Sequence, residues 1–122
     1  MKSLIILIII IISGISQLSA QKEYVKSEDF TVYGNCGMCK RTIEKAASIK
    51  GVKSANWNME TDVMTVTYDT ALVKLVEIKK AIASSGYDTD ECRATDDAYK
   101  KLHGCCQYDR PAPLKTKPQK SK

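Results

Sequence analysis

Cysteines are the residues of this sequence whose type and spacing most favour chemistry. Cys36 and Cys39 stand in Gly34-Asn-Cys-Gly-Met-Cys39, with two residues between them. Two thiolates without a nearby carboxylate suit a soft ion that needs few ligands: Cu(I) first, then Hg(II) or Ag(I). The pair fits Zn(II) less well, because Zn(II) prefers four ligands and this loop alone does not supply them. The pair therefore predicts a soft-metal site with Cys36 and Cys39 as ligands.

The elements on either side of the pair determine how its sulfurs behave. Residues 30–33 predict a first strand that Gly34-Asn35 ends, and Ile43 with Ala46 and Ala47 predicts a helix over 41–49. The cysteines then lie at a strand-to-helix junction, where free backbone amides and the helix dipole favour anionic sulfur and lower the thiol pKa. Lys40 and Arg41 are expected to add to this effect.

The remaining periodicity predicts two strands, a helix and a last strand. Residues 52–59 and 63–68 alternate in polarity around a hairpin at 60–62. Thr70 is the expected N-cap of a helix over 71–84, with Gly86 as its C-terminal glycine. A polar strand follows at 87–93. Five residues form the predicted buried stripe of that helix: Leu72, Leu75, Val76, Ile78 and Ile82. The elements together predict an α+β fold, with helices on one face of an antiparallel sheet.

A C-terminal extension follows this frame. Thr95 is the expected cap of a short extra helix over 95–102, which Gly104 ends, within an extension that covers 94–109. Residues 110–122 contain all three prolines and are expected to form a disordered basic tail. Its positive side chains are expected to be solvated rather than bound to nucleic acid.

Resemblance to a known family supports the metal interpretation. The segment from Gly34 to Ala46, Gly51-Val52, residues 63–69 and Gly86-Tyr87 resemble a heavy-metal-associated domain over roughly 28–93. That family includes copper chaperones, the N-terminal modules of copper-transporting ATPases and the periplasmic mercury-binding protein. The resemblance implies a ferredoxin-like βαββαβ sandwich over 29–93 and metal held by Cys36 and Cys39. The expected partner is a metal-transporting membrane protein or a cuproprotein.

The metal loop departs from the family pattern. The family usually has Gly-Met-x-Cys before its first ligand, whereas Gly34-Asn35-Cys36 is one residue shorter and lacks that Met. Met38 is expected to pack inward rather than to ligate the metal. Tyr87 occupies the position where bacterial members place a tyrosine near the metal loop, and screening the site and packing in the core are equal alternatives for it.

The second cysteine cluster leaves three interpretations open. His103, Cys105 or Cys106 adds donors to the first site or forms a separate one; or Cys92 pairs with Cys105 or Cys106 in a disulfide; or these cysteines are reduced and merely packed. Bonding between Cys105 and Cys106 is disfavoured, because it strains the intervening peptide.

The sequence supports a catalytic function less well than it supports metal binding. A thioredoxin-like enzyme needs a larger alternating fold and a cis-proline beside its cysteines, whereas every proline here lies at 111 or beyond. The single histidine has no partnering motif for hydrolysis. We expect a binding protein rather than an enzyme; a thiol-disulfide oxidoreductase is the alternative of another class. An interaction module whose site is lost or oxidised is a third.

The N-terminus predicts export. Lys2, the apolar run 4–12 and Leu18-Ser-Ala20 have the layout of a signal peptide that is cleaved after Ala20. The apolar run is about half as long as a membrane-spanning helix, so stable insertion after cleavage is not expected. Residues 21–28 are predicted to be a polar leader. The mature protein is therefore expected in the periplasm or outside the cell.

Overall fold

The computed structural model describes residues 24–113. Its strands are β1 (Val25–Thr31), β2 (Val52–Trp57) and β3 (Val63–Asp69), and its helices are α1 (Gly37–Ala47), α2 (Leu75–Ser84) and α3 (Asp96–Lys100), followed by a 3-10 turn at Gly104–Cys106. The signal segment predicted for 1–20 and residues 114–122 of the predicted tail lie outside the described residues. Of the helices between 24 and 113, none has the length and apolar character that crossing a bilayer demands.

The sheet confirms the ferredoxin-like α+β class. Its three antiparallel strands lie in the order β1-β3-β2, so β3 is central and Met64 pairs with Phe30 on one side and with Trp57 on the other. Met64, Val66 and Tyr68 are buried, as the alternation of β3 predicts. The short extra helix is also confirmed: Thr95 caps α3 by accepting a hydrogen bond from the backbone N–H of Ala98.

The first strand begins earlier than predicted. Residues 25–28 were assigned to a leader, yet Val25 pairs with Asp69, and Glu28 accepts a hydrogen bond from the Tyr68 hydroxyl. Polar side chains are tolerated here, because Lys26, Ser27 and Asp29 are exposed to solvent.

The predicted last strand over 87–93 is wrong in extent, since only the bridge between Val32 and Thr89 forms. The backbone N–H of Thr89 donates to the carbonyl of Cys92 at 2.8 Å, and the Thr89 hydroxyl accepts from the N–H of Cys92, also at 2.8 Å. This local turn uses the groups that a longer ladder would need.

The second helix starts four residues later than predicted. Lys74 is its N-cap rather than Thr70, because the Glu77 carboxylate accepts from the backbone N–H of Lys74 at 2.8 Å, which is the Glu half of a capping box. Leu72 then precedes the helix and is 60% exposed, so its assignment to the buried stripe is wrong. Ile78 and Ile82 are fully buried, as predicted.

The core lies directly beneath the start of α1. Trp57 is fully buried, and its indole N–H donates to the carbonyl of Val32 at 2.9 Å. A Cβ on Gly34 would lie 2.9 Å from the Trp57 ring and 3.1 Å from the Ile43 side chain. The loop that carries the cysteine pair therefore needs glycine at 34 in order to descend onto the core.

The C-terminal extension packs on the same end of the domain. Tyr108 stacks on Tyr87 with ring centroids 5.6 Å apart and meets Tyr99 edge-on at 5.3 Å. Its hydroxyl accepts from the backbone N–H of Asp88 at 2.7 Å and lies 3.1 Å from the carbonyl of Gly86, to which it donates. Burial raises the pKa of Tyr108, so the hydroxyl remains protonated.

A buried ion pair then fixes the end of the extension. Arg110 donates to both carboxylate oxygens of Asp88 at 2.8 Å and to Asp96 at 2.7 Å. Burial acts to raise the pKa of Asp88, but hydrogen bonds from Arg110 and the N–H of Ala94 outweigh it and hold that pKa low. Arg110 thus belongs to the folded structure, so the disordered tail predicted for 110–122 does not include this residue.

Candidate metal centre

The cysteine pair lies at the N-terminus of α1. Cys36 is the N-cap residue, with an extended backbone, and Cys39 lies in the first turn. The helix starts at Gly37, before the predicted residue 41, and no acidic residue occupies its first turn. Free backbone amides and the positive end of the helix dipole therefore surround the two sulfurs, as the sequence predicts.

Three sulfurs meet at this point. The Sγ atoms of Cys36 and Cys39 are 3.2 Å apart, and the Sγ atom of Cys106 lies 3.5 Å from that of Cys36. All three lie within 4.8 Å of one another, with Cys39 and Cys106 buried and Cys36 half-buried. We call Cys36, Cys39 and Cys106 the thiol cluster; it contains neither a carboxylate nor an imidazole.

The thiols of Cys36 and Cys106 differ in pKa. The backbone N–H of Cys39, and then the Cys39 thiol, lower the pKa of Cys36 from 9.0 to about 7, against the opposing effect of burial. Burial, together with the neighbouring thiols, raises the pKa of Cys106. Cys36 is therefore the first of these two to become a thiolate.

The prediction that Lys40 helps to lower the pKa of the thiols is wrong. Its ammonium group binds Glu44 and donates to the carbonyl of Trp57 at 2.6 Å, so it turns away from the sulfurs. The acidity of Cys36 comes from the backbone at the helix start.

Tyr87 and Asn35 complete the surroundings of the cluster. Tyr87 is fully buried, and its hydroxyl lies near the sulfurs of Cys39 and Cys106; burial, and then these sulfurs, raise its pKa. That hydroxyl has no well-formed hydrogen bond to any group in residues 24–113. The side-chain carbonyl of Asn35 accepts from the Cys39 thiol at 3.2 Å. Tyr87 thus both packs in the core and borders the site.

The other predicted ligands lie outside the cluster. The side chains of His103 and Cys105 are exposed, although the Cys105 sulfur is only 3.8 Å from that of Cys106. All five cysteines are free thiols, and Cys106 lies against Cys36 rather than Cys92. Met38 is 49% exposed, so the expected inward packing is wrong; Cys39 takes the inward face of the helix turn instead.

Sequence reasoning missed the role of Asn35 and the pairing of Asp88 with Arg110. The only signal for the pairing was that Arg110 stands apart from the tail lysines, which begin at Lys115. For Asn35 no signal existed beyond its position next to Cys36.

Comparisons with known proteins agree with this arrangement. Residues 35–88 match the heavy-metal-associated domain. The copper chaperone CopZ of Staphylococcus aureus is 42% identical over 55 residues, which are 44% of this chain and 81% of that protein. The structure of a CopZ metallochaperone superposes with a TM-score of 0.51 at 39% identity, over 52% of this chain and 98% of that one.

A second structural relative is the oxidised MerP of Ralstonia metallidurans CH34, with a TM-score of 0.51 at 29% identity, over 54% of this chain and 94% of that one. The family match ends at residue 88, so Cys106 and the extension lie beyond it. These relatives share the fold that positions the two cysteines at the start of α1. The chain therefore belongs to the heavy-metal-associated domain family.

Proposed function

We propose that this protein binds a soft metal ion, Cu(I), through Cys36 and Cys39, outside the cytoplasm. The observation that carries the proposal is the position of two sulfurs 3.2 Å apart at the start of a helix. The N–H of Cys39 favours the thiolate of Cys36, and the metal requires a thiolate. A donor set of sulfur alone selects a soft ion over Mg²⁺ or Ca²⁺.

Copper is favoured by the relatives. The Staphylococcus aureus relative is named a copper chaperone, and the family match over 35–88 includes the cysteine pair. The likeness to MerP favours Hg(II) as the second candidate, because two thiolates satisfy either ion. Ag(I) follows by the same chemistry, and Zn(II) would need further ligands.

Binding of Cu(I) at this site would serve the transfer, storage or detoxification of copper. Cys36 is half-buried, so an incoming thiolate from a partner reaches its side of the ion first. Stepwise exchange of sulfurs would then pass the ion to a metal-transporting membrane protein or a cuproprotein. Export is proposed from the signal segment predicted for 1–20, which would place the mature protein in the periplasm or outside the cell.

Anaerobic competition against a chromophoric Cu(I) chelator tests the proposal. The wild-type chain is expected to withdraw one Cu(I) per molecule, and Cys36→Ser/Cys39→Ser to withdraw none. Cys92→Ser is the matched control, because its half-buried sulfur is absent from the thiol cluster. Undiminished withdrawal by the double variant would reject the pair as the site. Repeating the competition with Hg(II) ranks the two ions.

A disulfide-reduction assay on the same samples separates binding from the alternative enzymatic class. A binding protein shows no turnover with dithiol reductant and a disulfide substrate. Turnover that disappears in the double variant would favour a thiol-disulfide oxidoreductase instead.

A further inference from the structure

Cys106 is the residue of the thiol cluster that the family match does not cover. It lies 70 positions from Cys36 in sequence, yet the two sulfurs are 3.5 Å apart. Its side chain is only 2% exposed, and it belongs to a group of three sulfurs within 4.8 Å of one another. An ion held between Cys36 and Cys39 would therefore have a third sulfur beside it.

The extension is built to keep that sulfur in place. The backbone N–H of Cys106 donates to the carbonyl of His103 at 2.8 Å, which closes the 3-10 turn. Two residues later, Tyr108 is anchored on Tyr87, and Arg110 then binds Asp88. Contacts on the C-terminal side thus fix the position of Cys106 relative to α1.

The Tyr87 hydroxyl supplies an independent indication. It is fully buried and borders the Cys39 and Cys106 sulfurs, yet it has no well-formed hydrogen bond within residues 24–113. A buried hydroxyl normally has a partner, because an unsatisfied donor loses its hydrogen bonds to water. A metal-bound thiolate is a stronger acceptor than a neutral thiol, so a loaded cluster would give this donor its partner.

We propose that Cys106 is a third thiolate ligand, so that the soft ion is held by three sulfurs, with the Tyr87 hydroxyl donating to one of them. This inference rests on the proposed binding of metal by Cys36 and Cys39. Each S–H bond that breaks on loading releases its proton to solvent as a metal–sulfur bond forms, and no atom changes oxidation state. A partner must then displace the Cys106 sulfur as well, so the extension slows release and favours holding the ion.

X-ray absorption at the copper edge of the Cu(I)-loaded full chain tests the ligand count. The expected result is three sulfurs per copper in the wild-type chain and two in Cys106→Ser. Cys105→Ser is the matched control, because its neighbouring sulfur is exposed and absent from the cluster; it is expected to retain three. The wild-type count requires no variant to fold.

Affinity and dissociation give a second readout. Cys106→Ser is expected to bind Cu(I) at least about ten-fold more weakly than the wild type, without losing it, since two thiolates remain. Tyr87→Phe is expected to retain three sulfurs and to lose about ten-fold in affinity, as removal of an outer-shell hydrogen bond does. Its unloaded form should be at least as stable as the wild type, because the buried hydroxyl has no well-formed hydrogen bond there.

Two sulfurs per copper in the wild type, or unchanged affinity in Cys106→Ser, would overturn the third ligand while leaving the pair intact. Three sulfurs in Cys106→Ser would also overturn it, since the third would then come from Cys105 or from a second copy of the chain. Failure of the proposed function itself has a different signature: the wild type takes up no copper, or Cys36→Ser/Cys39→Ser takes it up undiminished.

Discussion

The domain over 25–88 and the extension over 95–111 meet at the thiol cluster, but different interactions hold them. In the domain, three paired strands and two helices enclose an apolar core around Trp57 and Met64. The extension has one helix of five residues and a three-residue turn, and it depends on the Tyr87–Tyr108 stack and the Asp88–Arg110 ion pair. The pair at Cys36 and Cys39 therefore rests on the more cooperative region.

This difference has a consequence for ligand exchange. Segments with short elements open locally at a lower free energy than the central elements of a domain. Cys106 is buried in the same core as Cys39, but it lies in a three-residue turn that follows a five-residue helix, whereas Cys39 lies in an eleven-residue helix. The third sulfur can then leave the ion by local opening of the extension while the pair remains in place.

Replacing the central core residue should affect both regions. Trp57→Ala removes a fully buried ring that contacts Gly34 and donates to Val32, and we expect a loss of about 4 kcal/mol in the free energy of unfolding. Urea unfolding followed by far-UV circular dichroism measures the change. Met59→Ala, at a side chain that is 49% exposed, should change stability by less than about 0.5 kcal/mol. Equal losses in the two variants would contradict the assigned core.

Removing the ion pair should act mainly on the extension. Arg110→Ala leaves the Asp88 carboxylate, 1% exposed, without its principal partner, which we expect to cost roughly 3 kcal/mol. Hydrogen exchange should rise first at residues 95–108 and much less in β3. Arg93→Ala is the comparison variant: its guanidinium is 4.0 Å from Asp88 and donates to the carbonyl of Pro111 at 2.8 Å, so Asp88 keeps its principal partner and the effect should be smaller than that of Arg110→Ala. A uniform rise across β3 would show that the two regions unfold together.

The acidity of Cys36 should appear as a pH-dependent rate with little effect on the fold. Its folded pKa is about 7 against an ordinary value of 9.0, so alkylation by iodoacetamide should rise through pH 7. Because the folded pKa is the lower one, the thiolate adds stability that is complete above pH 9 and is lost as pH falls through 7. Mass-spectrometric mapping separates Cys36 from the other cysteines. A midpoint near 9 would contradict the role of the Cys39 backbone N–H.

Local patterns were sufficient to predict the domain. Alternation in β3 identified Met64, Val66 and Tyr68 as its buried face, and the Cys-x-x-Cys segment between a strand and a helix placed Cys36 and Cys39 at a helix start. The prediction for the start of α2 is wrong because two N-caps compete there: Thr70 has the better side chain, but the Glu77 carboxylate accepts from the backbone N–H of Lys74. Such competition is decided by tertiary packing.

Contacts between distant residues explain what the sequence could not predict. The position of Cys106 against Cys36 follows from the path of the extension, which the Tyr87–Tyr108 stack and Arg110 determine. No local periodicity encodes these contacts. The exposure of Met38 depends likewise on how α1 is rotated over the sheet, and neighbouring residues do not specify that rotation.

The central claim is that sulfurs from both regions hold one soft ion. Anaerobic alkylation rates at each of the five cysteines, with and without one equivalent of Cu(I), test it most directly. We expect Cys36, Cys39 and Cys106 to react about a hundred-fold more slowly when copper is bound, because ligation must be reversed before a sulfur can react. Cys92 and Cys105, which lie outside the cluster, should keep their rates. An unchanged rate at Cys106 beside protected Cys36 and Cys39 would contradict the shared site, and unchanged rates at all five would contradict metal binding by this loop.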